Sequence, residues 1–347
     1  MIRAIHLLDD FSMGGVTRGM MLHHRPELAE LAHSDIVPVS PRSAVAPRFD
    51  AELILTHFPP SWSNFAFLFS LRMRNPKARL VHVEHTYTRS FEKHRVPSPC
   101  RFHKMLRWTL ALFDEVICVS RAQAEWLQAV AAITPSKMHV IYPWSSRPAL
   151  LDVPVLPRRQ ADKPLRFAAY GRFATPKNFI ALIEAVKRFP AGKVELHLGG
   201  SGPDENAMRK AAQEAGHIHF HGLIDDVPAF LAPCDAVIVP SQWEAFGQVA
   251  EEARLAGRPI LVADVDGLPE QINPFCPAGF AAPMDTADEI ETAIRGFMRL
   301  PLAEMGQHGR ITARTIEAEV IAGWSGVYQR ATEMTARNTS FPLRRAA

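Results

Sequence analysis

Two basic and two acidic side chains offer the most specific chemistry in this sequence. Arg172 and Lys177 stand five residues apart in the run Gly171-Arg172-Phe173-Ala174-Thr175-Pro176-Lys177-Asn178. Gly171 permits a sharp turn out of the apolar stretch before it, and Pro176 suits the first position of a helix. Two fixed cations beside a helix N-terminus suit a diphosphate. A surface loop with two solvated charges is the plain alternative. Glu244 and Glu252 bracket the run Glu244-Ala245-Phe246-Gly247-Gln248-Val249-Ala250-Glu251-Glu252. The pattern puts Glu244 in a loop and Glu252 in the helix that follows. Eight helical positions rise about 12 Å, roughly the reach from a hexose across a diphosphate to a ribose. A carboxylate accepts hydrogen bonds from two neighbouring hydroxyls, so each Glu can hold a diol. Backbone N–H groups around Phe246 and Gly247 can face phosphates between them. An amphipathic helix start with surface carboxylates has the same spacing.

Other motifs are less specific. Gly199-Gly200-Ser201-Gly202-Pro203 departs from the dinucleotide fingerprint, because Glu205 stands where its third glycine belongs. A tight strand-to-helix turn is expected there. Gly14-Gly15-Val16-Thr17-Arg18 would let the backbone approach a ligand or would form a simple turn. Asp264 and Asp266 could hold Mg²⁺ or Mn²⁺ on a diphosphate. Arg172 and Lys177 already neutralise that charge, and Asp266-Gly267 is an ordinary turn pair, so no metal is expected. His85 closes the run Val81-His82-Val83-Glu84-His85 and, as one of 15 histidines, reads equally well as a structural residue.

The elements that must position these residues are short β-type runs alternating with helix-length segments. The first set is Arg3–Leu8, Asp35–Val39, Leu53–His57, Leu80–Glu84, Glu115–Ser120 and His139–Tyr142. The second is Arg166–Tyr170, Val194–Leu198, Ile218–His221, Ala236–Pro240 and Pro259–Ala263. Several are continuously apolar, as strands buried on both faces are. Alternation with helices predicts βαβ units and doubly wound α/β sheets. The Pro-rich stretch from Pro148 to Pro164 separates the sets. The expected organisation is an N-terminal Rossmann-like domain over 1–150, a linker over 151–165 and a second Rossmann-like domain over 166–320. A C-terminal helix over 321–347 is expected to return to the first domain and end in a tail. The two domains would face a central cleft, with the motifs above on strand-end loops, where open α/β sheets bind ligands.

With 347 residues, 47% apolar and 22% charged, the chain is globular rather than disordered or coiled-coil. No apolar run approaches the roughly 18 residues of a membrane span. The opening Met1–Asp10 reads as a strand and not a signal peptide. The four cysteines share no close spacing, which argues against a zinc cluster or a disulfide framework and for a reducing cytoplasm. The formal charge of +3 conceals an asymmetry: residues 1–150 hold 18 basic against 12 acidic residues. Ten of those basic residues fall between Arg72 and Arg107, interleaved with aromatic side chains. A stretch such as 65–113 could rest on an anionic bilayer, or could be a helix with a solvated basic face. No compact basic motif points to nucleic acid.

Taken together, these pieces resemble glycosyltransferase family 4, the retaining nucleotide-sugar transferases of GT-B fold. Residues 244–252 fit that family's E-x7-E motif, and Gly171–Asn178 resembles its diphosphate loop. Gly199–Pro203, His221–Asp226 and Ala263–Ile272 follow in the family's order. The likeness is strong over 165–275 and weaker before residue 150, where Gly14–Arg18, Asp114–Ser120 and Val81–Thr86 fit. Tyr142-Pro143-Trp144 and Asp266 depart from the family pattern. The resemblance implies that Arg172 and Lys177 hold the donor diphosphate, and that Glu252 binds the ribose. Glu244, with Ala245, Phe246 and Gly247, would grip the sugar. Gly15, Gly171, Gly202 and Gly222 would approach the donor, and His85 would line the transfer site. It implies a UDP-sugar co-substrate, no cofactor or metal, and a lipid or glycan acceptor bound by the N-terminal domain at the inner membrane face. A nucleotide-sugar 2-epimerase of the same architecture and a non-catalytic sugar-nucleotide-binding protein are the competing expectations.

Overall fold

Continuous apolar runs in this chain become strands covered on both faces. Leu53–Thr56, Glu115–Cys118, Ala236–Val239 and Ile260–Ala263 are buried at every position, as parallel strands sandwiched between helices must be. The computed structural model describes residues 1–10, 19–144, 147–157 and 163–340. Within them the strands form two six-stranded parallel sheets. The first runs in the order β2-β1-β3-β4-β5-β6, with β1 (Ile2–Leu8), β2 (Ala32–Pro38), β3 (Leu53–Thr56), β4 (Arg79–Glu84), β5 (Glu115–Cys118) and β6 (Met138–Val140). The second runs β12-β11-β10-β7-β8-β9, with β7 (Leu165–Tyr170), β8 (Val194–Gly199), β9 (Ile218–Phe220), β10 (Ala236–Val239), β11 (Ile260–Ala263) and β12 (Gly279–Ala282).

The chain divides into two units. One comprises 1–88, 92–146 and the residues from Glu317 on, and the other comprises 89–91 and 147–316. In each sheet the strand order reverses once, between β1 and β3 in the first and between β7 and β10 in the second. Such reversal points leave a crevice at the carboxyl ends of the strands. The loops after β7 and β10 carry the paired cations and the first acidic residue of the sequence motifs. The sequence pattern anticipates every strand except β12, whose Gly-Phe-Ala-Ala composition has little β character.

Charged side chains fix the ends of both units. In the first, Glu115 is fully buried between Arg79 at 2.6 Å and Arg330 at 2.8 Å, and Arg330 lies on the terminal helix Ile316–Ser340. Hydrogen bonds from the arginines outweigh burial and hold the Glu115 carboxyl below the usual range. In the second, the buried Arg258 donates to the carbonyls of Leu231, Ala232, Pro154 and Ala256. Leu150, Val153 and Leu156 of the Pro-rich segment are buried in the same core.

Candidate functional site

The loop after β7 leaves the sheet at Gly171, whose φ of +134° disfavours any side chain. Pro176 opens a single 3-10 turn, Thr175–Lys177, and not the helix its position suggests. Asn178 interrupts it in the left-handed conformation (φ 54°), and its amide donates to Met284 O, so the α-helix begins only at Phe179. Lys177 therefore sits on a tight turn ahead of the helix, its stem against Gly171. Arg172 is exposed on the same loop.

Glu244 lies in the loop after β10, as the sequence suggests, and Lys177 Nζ donates to its Oε2. Ser241 Oγ, buried at the strand end, donates to the same oxygen at 3.2 Å. Asp266 accepts the Glu244 backbone N–H at 3.1 Å, and the Gly267 N–H donates to Glu244 O at 3.3 Å. Asp266, with φ 47°, thus shapes the acidic loop. Ala245 and Phe246 are buried, and Gly247 caps the helix Gln248–Leu255 with φ 89° and no side-chain acceptor. The first N–H groups of that helix keep their positive end without a capping side chain. A Cβ on Gly247 would come within 2.5 Å of Leu268. Because that helix starts at Gln248, half of the Glu244–Glu252 spacing is loop, and helical rise alone does not set their separation.

Glu252 is buried and already engaged. Tyr170 Oη donates to one oxygen at 2.8 Å, and Arg147 Nε lies 3.0 Å from the other. Neither partner has a local sequence signal, since they lie 82 and 105 residues away in the chain. Gly200 and Gly202 serve the packing of the glycine turn against the β7 loop. A Cβ on Gly200 would fall 1.9 Å from Gly171 O, and one on Gly202 would fall 2.3 Å from Phe173 O. Gly200 N donates to Gly222 O at 2.6 Å. The arrangement brings Gly171, Lys177, Glu244 and Gly247 to one sheet end, with two cation-anion pairs, Lys177–Glu244 and Arg147–Glu252. Gly15 lies outside the described residues.

His85 lies in the first unit at the end of a chain of imidazoles that sequence reading does not reveal. Its Nε2 is 3.1 Å from His57 Nδ1, and His57 Nε2 is 3.0 Å from His6 Nδ1. The His6 and His23 rings meet at a tilt, their centroids 4.3 Å apart, and His23 Nδ1 lies 2.7 Å from Tyr328 Oη. One proton serves each nitrogen–nitrogen contact, so the tautomer of one ring fixes the next. Burial lowers the pKa of His85 to about 4 and that of His23 to about 3. For His85, Glu84 opposes the shift and His82 adds to it; for His23, His57 and His24 add to it. Burial and imidazole neighbours hold His6 and His57 well below the ordinary value. Glu84 is also held low, its burial outweighed by hydrogen bonds from His82 and the backbone of Tyr87 and Thr86.

The sign of the resulting pH dependence is fixed. The unfolded chain takes up protons on these histidines below about pH 6.5, whereas the folded unit resists until near pH 4. The stabilisation is complete above pH 6.5 and is lost as the pH falls toward 4. Thermal melts of the first unit are expected to show a falling Tm from pH 7 to 5, with a shallower fall in His57→Gln. A Tm flat across that range would contradict the buried neutral chain.

In the first unit a hollow of about 610 Å³ opens at the carboxyl ends of the sheet, lined among others by Asp9, Ser40, Arg42, Ser61, Asn64 and Tyr87. It sits at the β1–β3 reversal of strand order and is rich in hydroxyl and amide groups.

These features fall within a known class. Residues 157–313 match the family model described as glycosyl transferases group 1, and residues 29–144 match that of glycosyltransferase family 4. The chain belongs to this glycosyltransferase family, and both of the family's domains are present. Mannosylfructose-phosphate synthase of Agrobacterium fabrum is 26% identical over 254 residues, 66% of this chain and 54% of that protein. The chain thus spans about half the length of that relative. The 2-deoxystreptamine glucosyltransferase of Streptomyces kanamyceticus is 28% identical over 275 residues, 72% of this chain and 68% of that protein. Among solved structures, Anabaena HepE in complex with UDP shares the GT-B fold at a TM-score of 0.70 and 17% identity, covering 95% of this chain and 100% of HepE.

Proposed function

We propose that the protein is a retaining glycosyltransferase that moves a hexose from a UDP-sugar to a lipid-linked or glycan acceptor, without a metal, at the cytoplasmic face of a membrane. The observation that carries this reading is the pairing of Lys177 with Glu244 at the strand-order reversal of the second unit. A diphosphate takes the cation, and sugar hydroxyls take the carboxylate. The uncapped start of the helix Gln248–Leu255 adds positive potential for phosphate. That HepE binds UDP supports the donor class. In the reaction the bond from the anomeric carbon to the diphosphate oxygen breaks, and the acceptor oxygen bonds to that carbon on the same face. The acceptor proton passes to the leaving phosphate. Lys177 and Arg172 stabilise the negative charge that grows there. Glu252 holds the ribose diol, with Tyr170 and Arg147 orienting its carboxylate. His85 serves the acceptor side.

Glu252→Ala is expected to weaken UDP binding by about tenfold or more, the loss of a charged hydrogen-bonding partner, with a smaller effect on kcat. Unchanged affinity by calorimetry would remove the ribose role. Incubation with donor alone, followed by NMR, is expected to leave the sugar unepimerised; a new epimer would favour the 2-epimerase instead.

The acceptor assignment is supported by the first unit. The hydroxyl-lined hollow suits a sugar or phosphate headgroup. Ser61 and Asn64 in its wall flank Trp62, which meets Trp108 at 6.3 Å, as Phe65 does. Trp108 and Met73 are each 63% exposed, and Arg101 and Lys104 share the exposed face of the helix Pro99–Leu110 with Trp108. Aromatic side chains beside cations favour an anionic bilayer surface. The protein is expected to float with anionic vesicles at low salt, and Trp62→Ser with Trp108→Ser to abolish flotation. Failure of the unaltered protein to float would remove the membrane from this reading. No helix among the described residues is long and apolar enough to cross a bilayer.

A further inference from the structure

We propose that Glu195, His197 and His219 form a divalent-metal site of the kind that takes Zn²⁺, at the β8–β9 edge of the second sheet, with His221 as its supporting residue. Strand alternation sets Glu195 and His197 on one face of β8, and the parallel register pairs His197 with His219. Residue types that ligate zinc therefore recur at i and i+2, in Glu195-Leu196-His197 on β8 and in His219-Phe220-His221, whose last residue lies just beyond β9. The ligand atoms of Glu195, His197 and His219 all lie within 4.8 Å of one another. In a tetrahedral zinc site, ligand atoms stand about 3.3 Å apart, so modest side-chain rotation closes the cluster.

His197 is oriented from one side only. Its Nδ1 is 3.0 Å from His221 Nε2. Its Nε2 is buried, has no hydrogen-bond partner among the described residues, and lies 3.8 Å from Glu195 Oε2. In the tautomer that donates Nδ1–H to His221, Nε2 turns a lone pair toward the Glu195 carboxylate, whose Oε2 accepts from Arg166 Nε. A cation at that point satisfies both. A second ring nitrogen held by a hydrogen bond is also how metal-bound imidazoles are oriented. Arg166 Nε, 3.1 Å from Glu195 Oε2, is the one competing cation on that carboxylate among the described residues. Two imidazoles and a carboxylate suit zinc over calcium or magnesium.

The site shares no side chain with the residues assigned to sugar transfer, although His221 adjoins Gly222, and it would act as a staple. β9 is a three-residue edge strand, and the Gly222 that soon follows it accepts the Gly200 N–H. A metal tying β9 to β8 steadies the turn against which the Gly171 loop packs.

The test uses the untagged full chain, stripped with EDTA and titrated with Zn²⁺ by calorimetry and with Co²⁺ by absorbance. One ion per chain is expected, with tetrahedral Co²⁺ bands, and a Tm raised by about 5–10 °C at a hundredfold excess over Kd. His197→Ala and His219→Gln should abolish binding, and His221→Ala should weaken it about 10–100-fold. His33→Ala, on the exposed surface of the other unit, should change nothing. Each variant is compared in EDTA by circular dichroism, where all should melt like the unaltered chain. Absence of stoichiometric binding, or binding that survives in both His197→Ala and His219→Gln, would overturn the site. Either result leaves the donor reading untouched.

Discussion

Lys177→Ala is expected to lower kcat by about 10²–10³-fold, the usual cost of losing one preorganised group at developing charge. The side chain is half-buried on a turn fixed at both ends, by Gly171 and by the left-handed Asn178. In the proposed reaction it would exchange its Glu244 partner for the diphosphate from a backbone already held in place. As the sugar leaves, charge on the bridging oxygen grows, and the lysine interaction strengthens in the transition state more than in the ground state. The loss should appear in kcat more than in KM. Arg172→Ala acts on the same charge and is expected to slow turnover in the same direction. Lys177→Ala also frees Glu244 from its ion pair, leaving the carboxylate held by Ser241 alone among its side-chain partners in the described residues. Near-normal turnover in Lys177→Ala would remove the diphosphate role and with it the main support for sugar transfer.

Gly200→Ala is expected to destabilise the second unit by about 3 kcal/mol or more and to abolish measurable donor binding. The new Cβ would stand 1.9 Å from the Gly171 carbonyl oxygen, and φ at Gly200 is +133°. A backbone atom cannot rotate away, so relief requires the two loops to part. Overpacking typically costs about 1–3 kcal/mol, and the strained dihedral adds about 1–3 kcal/mol more. The displaced loop is the one that carries Arg172 and Lys177. Gly222→Ala is the control: its φ of +69° is also left-handed, but nothing lies within 4 Å of the added atom. It should cost only about 1–2 kcal/mol and leave the loops in register. Equal Tm losses in the two variants would show that loop contact is not what Gly200 provides.

The strands were legible because burial on both faces writes itself as unbroken apolar runs. The helix start at Pro176 was not, because the left-handed Asn178, tied to Met284 O, overrides the local proline signal. The spacing of Glu244 and Glu252 identified the right loop and helix, but not what holds them. Tyr170 and Arg147 reach the Glu252 carboxylate through the fold, and Asp266 reaches the Glu244 backbone N–H the same way, while Ser241 holds the Glu244 carboxylate from three residues away. The imidazole chain shows the same limit most clearly. His6, His57 and His85 lie on or just beyond β1, β3 and β4, and only the sheet order makes those strands neighbours. No local pattern encodes that order. The metal-ligand pattern on β8 and β9 was present in the sequence at i and i+2, but it takes meaning only when the register sets His197 beside His219.

The most direct measurement is a crystal structure of the protein with UDP or an intact UDP-sugar. The account predicts phosphate oxygens within hydrogen-bond distance of Lys177 Nζ and the Gly247–Gln248 backbone, with the ribose hydroxyls on Glu252. A nucleotide seated away from the loops after β7 and β10, with Lys177 and Glu252 untouched, would contradict it.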